Sequence, residues 1–201
     1  MCGRFTLTAK PQAVVDAFGL DAAPAELAPR WNIAPSQAVA AIANAAPRRL
    51  EWFRWGLVPS WAKDPAIGHR MINARAETAA DKPSFRAAFR RRRCLVVADG
   101  FFEWRRDGRH KTPMHIRMRS HEPFAFAGLW EVWQPPGPPD TPPLRTCTIL
   151  TTAPNELVAP IHDRMPVILP RAAGDLWLDP DDPGRDALEP LLRPCPAAGM
   201  E

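Results

Sequence analysis

A chain of 201 residues, 46% of them hydrophobic, is long enough to bury one large core or two small ones. No apolar run reaches the ~20 residues needed to cross a bilayer, and the start of the chain lacks the basic-then-apolar order of a signal peptide. The net charge is only +4, and four of the 26 cations are Lys, so overall charge alone does not mark a nucleic-acid binder. A guanidinium-rich surface suits bidentate phosphate contact, although a GC-rich coding sequence gives the same bias.

In chain order, Gly3–Leu7 reads as a short strand. Pro11–Phe18 places Val14, Val15 and Phe18 at helical spacing, with Gly19 as the stop. A loop follows over Ala22–Pro29. Trp31–Pro35 reads as an aromatic-rich turn before a strand at Ala38–Ile42. Leu50–Val58 alternates as a strand does, and Pro59-Ser60-Trp61 ends it. Asn73–Thr78 reads as a loop. Ser84 is the expected N-cap of a helix over Phe85–Arg92. That helix runs into the basic block Arg90–Arg93, either a solvated helix end or a phosphate contact.

The most strand-like part of the chain comes next. Cys94–Ala98 is a continuous apolar run. Phe101–Arg105 and Thr112–Met118 flank a hairpin turn at Asp107-Gly108. Phe124–Val132 and Thr146–Thr152 continue the sheet, with an exposed Pro-rich loop at Gln134–Pro143 between them. Pro166–Leu169 is a last strand, Ala172–Leu178 a helix and Ala187–Leu192 a weaker one. The tail from Pro194 reads as mobile. These elements predict a single α+β domain over residues 1–193, with a curved, mostly antiparallel, barrel-like sheet and peripheral helices. Residues 194–201 form the tail. Cys2, Cys94, Cys147 and Cys195 show no C-x-x-C spacing, so neither a metal site nor a disulfide framework is expected. Cys94 and Cys147 read as buried thiols.

Removal of Met1 would give Cys2 a free α-amine and a thiol on adjacent carbons. Such a 1,2-aminothiol condenses with an aldehyde, first as a Schiff base through the amine and then as a thiazolidine through sulfur. An α-amine titrates near ~7.7–8.0 and a Cys thiol near ~8.5, so both have reactive fractions around neutrality without much tuning. Gly3 lets the backbone approach a substrate closely, and Arg4 adds a fixed cation. Three further residues stand out. Glu103 lies among aromatics in Phe101-Phe102-Glu103-Trp104, either desolvated with a raised pKa or facing solvent on an alternating strand. Asn73 is either a turn or cap residue or a site residue. His162, between Pro160 and Pro166, is either a proton shuttle or a satisfied structural histidine.

Six segments then fall in order: Cys2-Gly3-Arg4-Phe5, WNIAP at Trp31–Pro35, WGLVPSW at Trp55–Trp61, NARAET at Asn73–Thr78, ADGFFEW at Ala98–Trp104 and IHDRMP at Ile161–Pro166. Together they resemble the SRAP family of abasic-site processing proteins, from residue 2 to about residue 178. The resemblance implies crosslinking to abasic sites in single-stranded DNA through Cys2, as a thiazolidine that shields the lesion. It implies Glu103 as acid/base for opening the sugar ring, His162 as proton shuttle and Asn73 as an orienting donor. Gly3, Arg4, Arg75 and Arg164 become DNA contacts by matching motif, the arginines at phosphate. Trp61 and Trp104 become stacking platforms, with Pro35 and Thr151 at neighbouring loop positions. Position 62 is Ala, so a second aromatic directly after Trp61 is absent. The missing signal peptide and membrane span make a cytoplasmic chain with no membrane partner the expectation; the implied chemistry needs no metal or organic cofactor, and a monomer is expected. Two other readings use the same residues: an N-terminal-Cys peptidase, with autopeptidase or lyase activity, and a non-covalent single-stranded DNA-binding module.

Overall fold

The computed structural model describes residues 2–138 and 140–201. Met1, whose removal the aldehyde chemistry requires, and Pro139, within the expected Pro-rich loop, lie outside the described residues.

The chain opens with β1 (Arg4–Leu7) and α1 (Pro11–Phe18). Pro11 pre-sets the first helical φ, Val14 and Ala17 face the core, and Gly19 ends the helix at φ 59°, donating its N–H to the Val15 carbonyl. Next come β2 (Arg30–Ile33), β3 (Ala38–Ala43), β4 (Leu50–Trp55), β5 (Asn73–Arg75), α2 (Ala76–Ala79) and α3 (Arg86–Arg91). The second half supplies β6 (Arg93–Ala98), β7 (Gly100–Asp107), β8 (His110–Ile116), β9 (Phe124–Trp133) and β10 (Leu144–Thr152). It closes with β11 (Met165–Pro166), β12 (Ile168–Leu169), α4 (Gly174–Trp177) and α5 (Arg185–Leu188).

Strands β10, β4, β3, β6 and β9 pair in that order, and β9 pairs back onto β10, which closes a five-stranded barrel. The β10–β4 pair is parallel and the other barrel pairs are antiparallel. The barrel is filled rather than hollow. Phe53 stacks edge-on against Trp130, and the Arg145 guanidinium lies over both rings. At Gly128 a Cβ would meet Cys94 Sγ at 2.8 Å, so only glycine lets β9 pass that thiol. Cys94 and Cys147 are buried, as expected.

A second, antiparallel sheet has the order β2-β1-β7-β8 and caps one end of the barrel. From it Phe5 packs edge-on against Trp55 at 5.2 Å and Phe126 at 5.7 Å, and Phe101 packs against Phe126. Asp99, at the corner between β6 and β7, accepts bonds from the hydroxyls of Thr6 and Thr8 and from the backbone N–H groups of Thr8 and Ala9. These contacts fix both the depth and the direction of β1.

Several local expectations are corrected. Trp31–Ile33 is strand, pairing Ile33 with Phe5, and not turn. Asn73–Thr78 is not a loop: β5 runs parallel to β10, and α2 follows directly. The helix over Arg86–Arg91 has Phe85 at its N-cap and no side-chain cap, so Ser84 does not fill that role. β4 stops at Trp55 because Gly56 turns the chain at φ 128°, against the backbone of Gly68. Arg93 is neither solvated nor available for phosphate. It is fully buried, and its guanidinium donates to the carbonyls of Phe89, Arg90, Trp177, Asp179 and Asp181.

The segment from Pro194, expected to be mobile, is packed. Asn155 Nδ2 donates to the Cys195 carbonyl at 2.9 Å, Met200 is buried and bridges to Met118, and Arg117 and Glu201 exchange backbone bonds. A buried Met truncated to Ala costs roughly 2–5 kcal/mol. Met200→Ala is therefore expected to lower stability by about that amount in denaturant unfolding. An unchanged midpoint would restore the mobile tail.

Candidate functional site

The N-terminal strand delivers Cys2 to the junction between the two sheets. Antiparallel register pairs Arg4 with Phe102 and Phe5 with Phe101. Continued outward, that register sets Gly3 across from Glu103. Cys2 is fully buried, and its carbonyl accepts a 2.8 Å hydrogen bond from Asn73 Nδ2. Asn73 is held in turn by β5, whose register sets it against Ile149 of β10, and Trp55 Nε1 donates to the neighbouring Ile72 carbonyl. Asn73 Oδ1 is buried and receives no hydrogen bond among the described residues.

Glu103 is 2% exposed on β7, so of its two alternatives the solvent-facing one is excluded. Burial pushes its carboxyl above the usual carboxylate range, and His162 nearby offsets part of that rise. Burial also pushes the Cys2 thiol well above its ordinary range, with the Glu103 charge adding to the rise. The thiol is thus not the untuned group expected from the sequence. It is held protonated at neutral pH, because a thiolate there would be both desolvated and beside a carboxylate. His162 is half-buried; its Nδ1 accepts the Arg164 backbone N–H at 3.0 Å and lies 2.9 Å from Asp163 Oδ1.

The fold therefore gathers Cys2, Asn73, Glu103 and His162 from four distant segments. The other expected residues divide. Gly3 and Arg4 are half-buried at the mouth of this cluster, and Arg4 Nε is buried without a hydrogen bond among the described residues. Arg75 is exposed and Trp104 half-buried, one residue past Glu103. Trp61 is 61% exposed on the loop after β4. Pro35 lies half-buried in the turn between β2 and β3, outside the hydrogen-bonded cluster. Two further candidates are engaged within the protein. Thr151 is fully buried, with its hydroxyl directed at the Ala74 carbonyl, so its side chain packs and does not face a ligand. The Arg164 guanidinium is engaged by Glu77 and by the Thr151 carbonyl.

Two residues were missed. Trp31 is 72% exposed on β2, an edge strand, and reading its segment as a turn hid that position. Glu77 sits inside NARAET, but its partner lies 87 residues away and only the fold joins them.

A family model described as "SOS response associated peptidase (SRAP)" matches residues 1–201. The chain is 48% identical over 205 residues to the abasic site processing protein YoqW of Bacillus subtilis (strain 168), covering 100% of this chain and 90% of that protein. It is 30% identical over 209 residues to the abasic site processing protein YedK of Escherichia coli (strain K12), covering 100% of this chain and 89% of YedK. Among solved structures, a protein from Bacteroides thetaiotaomicron matches with a TM-score of 0.89 at 27% identity, covering 100% of this chain and 90% of that one.

The raised carboxyl of Glu103 has a stability consequence. Its folded pKa lies above the unfolded one, so folding is penalised once pH exceeds the unfolded value. Below the ordinary carboxylate range both states are protonated and the penalty vanishes. Glu103→Gln is therefore expected to raise the unfolding temperature at pH 8 and to leave it nearly unchanged at pH 3. Equal shifts at both pH values, or a lower unfolding temperature at pH 8, would contradict the desolvated carboxyl.

Proposed function

The chain belongs to the SRAP family, and from that premise we propose that it captures abasic sites in single-stranded DNA as a covalent thiazolidine on Cys2. The observation that carries the reading is the convergence of Cys2, Asn73, Glu103 and His162 around one strand end. After Met1 is removed, the Cys2 amine attacks C1 of the open-chain sugar aldehyde. The carbinolamine loses water to give an imine. Sulfur then adds to the imine carbon, and the S–H proton ends on nitrogen. One water leaves and no electrons are exchanged.

The environment suits that order of events. A thiol kept protonated leaves the amine as first nucleophile and brings its own proton to the ring-closing step. The abasic sugar is mostly a closed hemiacetal, so a proton must reach the ring oxygen before the aldehyde exists. Glu103, whose carboxyl burial pushes above its usual range, is the group placed to deliver that proton. His162 carries protons to and from the carbinolamine and imine. The Asn73 bond to the Cys2 carbonyl fixes the aminothiol in place, while Asn73 Oδ1 offers the new amine an acceptor.

Arg4 and Arg75 supply cations for the flanking phosphates, and exposed Trp61 and Trp31 offer stacking faces worth about 1–3 kcal/mol per base. The raised thiol favours this chemistry over a Cys peptidase, which needs a thiolate with a lowered pKa. The buried carboxyl favours it over a simple binding module, which gains nothing from burying a charge.

Intact mass spectrometry of the protein mixed with an abasic oligonucleotide tests the proposal. It reports Met1 loss and adduct formation together, and a protein lacking Met1 that forms no adduct would refute it. Cys2→Ser is expected to keep a transient imine, trappable by borohydride, and to lose the stable product. Abasic single strands are expected to crosslink better than paired duplex, with binding weakening as salt rises. Equal yields on both substrates across a salt series would count against the strand preference.

A further inference from the structure

NARAET and IHDRMP meet at a contact that the chemistry above leaves unused. Glu77 lies on α2, four residues after Asn73. Its carboxylate accepts both terminal nitrogens of Arg164, at 2.7 and 2.8 Å. The same guanidinium donates to the Thr151 carbonyl on β10 at 2.6 Å. Three bonds thus pin the Arg164 side chain between α2 and the barrel. The fork holds the Glu77 carboxyl below its usual range, so the carboxylate persists throughout neutral pH.

What Arg164 does with its backbone gives the clamp a meaning. Its N–H donates to His162 Nδ1 at 3.0 Å. An N–H can donate only to a ring nitrogen that carries no proton, so this bond selects the tautomer protonated on Nε2. An opposite demand acts on the same nitrogen. Asp163 Oδ1 lies 2.9 Å from Nδ1 and would draw a proton there. Asp163 is exposed and its side chain can swing away; the clamped Arg164 cannot. The remaining charge known to act on the ring is Glu103.

We infer that Glu77 is a positioning residue: by clamping Arg164 it keeps a backbone N–H on His162 Nδ1 and the imidazole proton on Nε2. The inference rests on the reading of His162 as the proton carrier. Glu77 touches neither sugar nor aminothiol and acts only through Arg164. In the wild type the shuttle therefore always presents the same nitrogen as donor.

Nitrogen-detected NMR of the histidine rings tests this on the DNA-free protein. The wild type is expected to show His162 Nδ1 bare and Nε2 protonated around neutral pH. Glu77→Gln keeps the shape, loses the charge and one carboxylate acceptor, and should shift proton density toward Nδ1. At saturating abasic DNA its single-turnover crosslinking should slow roughly tenfold, a fraction of the roughly 10²–10⁴ that a full acid–base group contributes. DNA affinity should hold, and Glu77→Asp should recover part of the rate and of the tautomer. An unchanged His162 tautomer in Glu77→Gln overturns the inference. So does tighter DNA binding with undiminished crosslinking, which would make Glu77 a competitor of phosphate for Arg164. The ring measurement needs no DNA, so a wild type that forms no crosslink would defeat the proposed function and still leave this question answered.

Discussion

The seat of the Phe5 ring at the end of the barrel is the contact on which the rest depends. Phe5 packs edge-on between Trp55 and Phe126, joining the small sheet to the barrel. A Phe side chain buried to this extent contributes about 1.5–3 kcal/mol by area. Its larger effect is geometric. β1 is an inner strand, hydrogen-bonded on one side to β2 and on the other to β7, and Asp99 ties down its far end. With Phe5 immobile, Cys2 is three residues from a fixed point. Chain ends usually fray, and this one is built as a rigid part. That rigidity holds Cys2 beside a carboxyl, an amide and an imidazole contributed by other elements.

The same region concentrates polar groups that cost stability. Glu103 is buried with a raised pKa, the Cys2 thiol is pushed up beside it, and Asn73 Oδ1 is buried without a hydrogen bond among the described residues. Arg93 shows what the fold does with a buried ion that serves packing alone. Five carbonyls surround its guanidinium, and the charge joins α3, β6 and the segment after α4. The contrast is between a cation buried among backbone carbonyls and a carboxyl buried beside a thiol and an amide at one strand end.

Legibility in the sequence followed the range of the interactions. α1 was readable to the residue, because Pro11, the apolar spacing and Gly19 are all local signals. The β7–β8 hairpin was readable from Asp107-Gly108 for the same reason. β2 and β5 were misread because their strand character comes from partners elsewhere: Phe5 for Ile33, and Ile149 to Thr151 for Asn73 to Arg75. The C-terminal segment was expected to be mobile as a terminal tail, yet Asn155 and Met118 supply its contacts from far upstream. At the site, chemistry and motif together pointed to Cys2, Asn73, Glu103 and His162, and the fold brings these four side chains into one cluster. At Thr151 and Arg164 the motif marked the positions but not the contacts, which the fold supplies. Composition does not reveal that a guanidinium is already taken.

The pairing of Arg4 with Phe102 also carries a temporal constraint. The ribosome releases the first residues early, but the strand that receives them is made almost a hundred residues later. Such long-range pairing closes slowly, after its loop entropy has been met. Until then the reactive end is a loose peptide, open to whatever trims nascent chains. Once β7 arrives, Cys2 is enclosed. A strand end that begins as a free peptide thus finishes inside the core, placed there by a partner strand synthesised long after it.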